Sequence, residues 1–156
     1  MVAAPRVAGD TPHRNQARIM KSYLVTYVGT LVVLVVIDAI WLTLVMRHLF
    51  AAHLQPLLAD PLRYGAAAMF YLVFTAGLLV LVIEPAAASG SWLRSVLLGL
   101  TLGLTAYATY DLTNRATLAA WPMVIVVVDI AWGSFVSAVS ALAGYILLRW
   151  MRGEAV

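Results

Sequence analysis

The chain has 156 residues, 63% of them hydrophobic and 11% charged, with a formal net charge of +3 and no cysteine. A soluble domain carries about a quarter charged residues, so this chain cannot cover an apolar core with polar surface, and most of its solvent must be lipid. The absence of cysteine excludes disulfides, thiolate metal sites and cysteine nucleophiles.

A bilayer core takes about 20 apolar residues per helical span, which leaves room for four spans joined by short loops and for no separate soluble domain. Residues 1–20 are polar and without periodicity, and they read as a flexible cytoplasmic tail. The first apolar run, about 23–46, is too long for a signal-peptide core and is read as an uncleaved span. A polar loop with Arg47, His48, His53, Gln55, Asp60 and Arg63 follows. The second span is expected over about 64–83, stopped by Glu84-Pro85 because proline interrupts the helical ladder. After a short turn the third runs over about 92–111. Pro122, a good first-turn residue, opens the fourth, about 122–148, which Arg149, Trp150 and Arg152 anchor. The runs are continuous rather than alternating, unlike barrel strands. The expectation is an all-α integral membrane four-helix bundle over 21–150.

Basic residues set the orientation. With the N-terminus inside, Arg6, Arg14, Arg18, Lys21, Arg94, Arg149 and Arg152 are cytoplasmic, and Arg47, Arg63 and Arg115 lie outside. This favours both termini in the cytoplasm and a multi-pass protein of the inner (plasma) membrane. The positive charge is then a topology signal that also suits anionic membrane lipids, and no nucleic-acid partner is expected.

A carboxylate inside a span is costly and usually faces a bundle interior or a wet cavity. Asp38 and Asp129 lie well inside the first and fourth spans, and each is followed three residues later by a tryptophan, Trp41 and Trp132, on the same helical face. An indole N–H is a donor, so these tryptophans are expected to line the pocket of the acids. At a rise of about 1.5 Å per residue, the two acids sit roughly 12 Å and 10 Å below the outer face. Tyr71 reaches a similar level on the second span. The third contributes a stripe at spacing four, Gly99, Gly103, Tyr107 and Asp111, followed by Asn114 and Arg115 at the rim. The glycines read as a close-packing face. The inner half offers only hydroxyls such as Thr30, Thr101, Ser137 and Ser140, apart from Glu84 at its boundary.

AYATYDLTN (106–114), WP (121–122), DIAWG (129–133), DAIWL (38–42) and the pair Phe70-Tyr71 resemble an uncharacterised bacterial membrane family, domain of unknown function 2177. The resemblance spans about 20–150. It implies a small four-helix inner-membrane protein without implying a reaction. The family's usual start corresponds to Met20, leaving the first 19 residues as an extension.

The favoured reading is a polar pocket in the outer half of the bilayer that binds or modifies a lipid or small amphiphile. Asp38, Trp41, Tyr71, Tyr107, Asp111, Asn114, Arg115, Asp129 and Trp132 are its ligand-binding candidates. Asp38, Asp129, Tyr107 and Asp111 are the candidates for chemistry, since carboxyls sharing a dry pocket can work as an acid–base pair. One alternative is a proton-coupled transporter acting as a homodimer. The other is an assembly protein in which Ala138, Ala141 and Gly144 pack on a partner membrane helix. No metal or cofactor is expected, because no ligand spacing is diagnostic. No histidine lies in a span and no phosphate-binding loop is present.

Overall fold

The structure, a computed structural model, describes residues 12–53 and 61–155. The first half of the expected tail, Gln55 and Asp60 lie outside the described residues. Among the described residues six α-helices form four antiparallel rods. α1 (Pro12–Trp41) passes through a π-helical turn (Leu42–Met46) into α2 (Arg47–His53). α3 (Tyr64–Leu78) passes through a second π turn (Leu79–Ile83) into α4 (Glu84–Ser89). α5 (Trp92–Thr117) and α6 (Met123–Arg152) complete the bundle. Among the described residues there is no strand.

Four boundaries differ from the sequence expectation. Residues 12–20 are helical: proline suits a first turn, and no glycine or proline interrupts the chain between His13 and Val28. The first rod continues past Met46 to His53. The Thr43 hydroxyl bonds back to the carbonyls of Ala39 (2.8 Å) and Ile40 (3.0 Å), and the ladder widens into the π turn instead of ending. Glu84-Pro85 does not stop the second rod. The π turn before it, closed by the Glu84 N–H on the Leu79 carbonyl, takes up the proline, and the helix ends instead at Gly90 in the left-handed conformation (φ 67°). Asp111, Asn114 and Arg115 are likewise inside α5 rather than at and beyond its end.

Side chains are distributed for an apolar solvent. On α1 the inward row is Ser22, Thr26, Thr30, Leu34 and Asp38, all buried. The opposite row is Leu24, Val28, Val32, Val36 and Ile40, all exposed. An uncovered aliphatic face of this length belongs in lipid. The rods His13–Phe50, Tyr64–Ser89 and Met123–Arg152 are long and apolar enough to cross a membrane. α5 is outside that set, being rich in threonine and carrying Arg94, Asp111 and Arg115. It is also the rod most tightly joined to a neighbour. Gly99 faces Ala138 and Ala141 of α6, where a Cβ would meet the Ala138 Cα at 2.9 Å, and Gly103 faces Gly133 and Ser137. Gly144 of α6 abuts Thr30 and Ile83. These small-residue surfaces are therefore consumed inside the bundle, which removes them as the docking face that the assembly reading required.

The rods meet at two contrasting ends. At the first, the basic end, Arg152 bridges Glu84 (2.8 Å) and the Tyr23 hydroxyl (3.0 Å), and Arg149 pairs with Glu154 (2.8 Å). The half of the bundle away from this end holds the intramembrane carboxyls.

Candidate functional site

Asp38 ties three rods together. The four-residue spacing of the buried row on α1 carries it inward, and it is 6% exposed. Its Oδ2 accepts from the Tyr71 hydroxyl of α3, and its Oδ1 from the Trp132 indole Nε1 of α6, both at 2.7 Å. Donors at charge-assisted distance on both oxygens satisfy a carboxylate in a setting where water competes poorly.

Trp132 is held by Trp41. Their rings stack with centroids 4.2 Å apart and planes within 5°. Trp41 therefore does not join the acids, as its shared spacing with Trp132 suggested. Its indole Nε1 has no partner, and its ring faces a shallow apolar groove with Ile37, Ile40 and Leu44. The helical period placed Trp41 on the Asp38 side of α1, but the flat contact with Trp132 holds its ring away from the carboxyls.

A second acidic centre joins α5 to α6. Asp111 is wholly buried, and its Oδ1 accepts from Trp121 Nε1 at 3.1 Å. Its Oδ2 meets no donor. Asp129 of α6 stands within electrostatic range of both Asp111 and Asp38. Arg115 Nη1 donates to the Trp121 carbonyl at 2.8 Å, so its charge pins the connection between α5 and α6 instead of entering the site. Asn114 contributes a backbone carbonyl that accepts from the Leu118 N–H (2.8 Å) at the close of α5.

Between these centres is a cavity of about 710 Å³. Asp38 and Asp129 supply its carboxyls, and Phe70, Phe74, Tyr107, Tyr110 and Trp121 much of its wall. α6 packs on α1 and α5, and α3 packs on α1. α3 and α5 face each other across the cavity and approach through Phe74 and Tyr107, whose rings meet edge to face at 6.3 Å. Gly133 of α6 gives the Tyr107 ring its seat, since a Cβ there would overlap the ring. Two rings on its wall reach the surface, Phe70 of α3 (41% exposed) and Tyr110 of α5 (56% exposed).

Sequence reasoning missed Trp121 as a site residue, together with Phe50, Phe70, Phe74 and Tyr110. The signal for Trp121 was weak: it stands next to Pro122, ten residues beyond Asp111, and only the fold of that connection returns it to the carboxyl. Among the described residues no group of three or more histidines or acids is disposed to hold a metal ion.

The sequence profile of a family described as "Predicted membrane protein (DUF2177)" matches residues 23–146. No curated protein and no solved structure matches the chain.

Proposed function

From the premise that the chain belongs to this predicted membrane protein family, which prescribes no reaction, we propose that it binds an amphiphile from within the bilayer, with the polar end of the ligand at Asp38 and Asp129 and its chain passing out between α3 and α5. The observation that carries this reading is a carboxyl-bearing cavity walled by both α3 and α5, whose rings Phe70 and Tyr110 are exposed on the apolar outer surface of those helices. Ligand pockets combine mostly apolar walls with a few convergent polar groups, and this cavity has that composition. All four rods cross the membrane in this reading. α5 is carried by its continuous packing on α6. The basic end lies in the cytoplasm by the excess of arginine and lysine there, which puts the cavity in the outer half of the bilayer.

The chain has no cysteine, so Ala106→Cys, on the cavity wall, creates a single thiol. In nanodiscs a C12 amphiphile at submicellar concentration is expected to protect this thiol from a membrane-permeant maleimide. A thiol at Ala131, exposed on the far side of α6, should stay reactive. Equal protection at both positions, or at neither, would refute the reading. Asp38→Asn and Asp129→Asn should fold and weaken the protection by any amphiphile whose head group is held by the carboxyls.

A further inference from the structure

The chemistry of the cavity selects among amphiphiles. Two carboxyls face it, Asp38 and Asp129, and a third, Asp111, bonded to Trp121 of the cavity wall, has a fully buried oxygen that meets no donor. No lysine, arginine or histidine lines it among the described residues. Arg115 of α5 is committed to the Trp121 carbonyl. A phosphate or sulfate head would enter a site with like charge and no counter-charge. A neutral hydroxyl head could donate one hydrogen bond and would leave the field of the carboxyls unbalanced.

The wall adds a second, independent preference. Phe70, Phe74, Tyr107 and Tyr110 surround the carboxyls, and several of these rings support one another. Phe70 and Phe74 stack at 5.5 Å between centroids, and Tyr110 meets Trp121 edge to face at 5.8 Å. Aromatic rings around a desolvated site attract cations, and organic ammonium groups are the ligands for which aromatic cages are best suited. Alkyl walls would have served an uncharged tail equally well, so rings add something only if the ligand presents charge to them.

We propose that the ligand of this cavity is a cationic amphiphile, with an ammonium head seated between Asp38 and Asp129 inside the aromatic wall and an alkyl tail leaving between α3 and α5. This assignment rests on the lateral-pocket reading above and narrows it to one class of head group.

The test uses the full chain in neutral-lipid nanodiscs with the single thiol of Ala106→Cys, and compares dodecyltrimethylammonium, dodecanol and dodecyl sulfate as protectants. The ammonium compound is expected to protect at a concentration at least about tenfold below dodecanol, the gain of a desolvated cation–π and charge contact. Dodecyl sulfate should be the weakest of the three. Added Asp129→Asn should raise the ammonium concentration about tenfold and leave dodecanol within about twofold. Phe70→Leu, at an exposed ring where folding is little at stake, should weaken the ammonium compound selectively. If dodecanol or dodecyl sulfate protects as well as the ammonium compound, the cationic assignment is overturned and the lateral pocket stands. If none of the three protects, the pocket reading falls with it.

Discussion

Replacing Asp38 separates what its charge contributes from what its hydrogen bonds contribute. Asp38→Ala removes the acceptor of two inter-rod bonds, from Tyr71 and from Trp132, each 2.7 Å long. Inter-helix hydrogen bonds in membranes are worth about 0.6–2 kcal/mol each, so the pair predicts a loss of about 1–4 kcal/mol. Asp38→Asn differs in kind. Trp132 can only donate, so the carboxamide oxygen goes to it. The amide NH₂ can then donate to Tyr71, whose hydroxyl also accepts. Both links survive without charge assistance, and the loss should stay below about 1 kcal/mol. Reversible unfolding in mixed micelles, or steric trapping in bicelles, gives these values. The cycle of Asp38→Ala with Tyr71→Phe should show a coupling of about 0.6–1.7 kcal/mol. Equal stability of the alanine and asparagine variants, or strict additivity with Tyr71→Phe, would refute the role assigned to Asp38 as the junction of three rods.

Gly99→Ala should cost about 1–3 kcal/mol in the same assay, because the new Cβ would stand 2.9 Å from the Ala138 Cα and 3.0 Å from the Ser137 carbonyl oxygen, both backbone atoms that cannot rotate aside. Unchanged stability would mean that α5 and α6 are not clasped at that point. Glu84→Gln should change stability by less than about 1 kcal/mol, since the Arg152–Glu84 pair is partly exposed at the basic end; a larger loss would show it to be dry. Gly133→Ala would displace the Tyr107 ring from its seat, so thiol protection at position 106 should weaken even though no acid has been touched. Single cysteines at Lys21 and Arg152, labelled from either side of sealed vesicles, should both react from the cytoplasmic side, and labelling from opposite sides would refute the proposed topology.

The choice of solvent was legible in the composition, and so was the all-helical architecture, because continuous apolar runs permit little else in lipid. Heights were legible as well. Residue count along a helix fixes depth, and Asp38 and Tyr71, estimated at one level, are in fact bonded to each other. Helix ends were less so: a π turn absorbed Pro85 and another carried the first rod past Met46, since a local widening of the ladder leaves no periodic signature.

What the sequence by itself determined is therefore a set of coordinates along the membrane normal, together with the side of each helix on which a residue stands. Rotation and approach of the rods decided the rest. They turned Trp41 against Trp132, brought Trp121 back to Asp111, and left a cavity walled by α3 and α5 with Asp38 and Asp129 on its lining. The physical reason is that side-chain spacing is a property of one helix, whereas a donor for a given carboxyl must come from another, and which one arrives depends on how all four rods fill space at once.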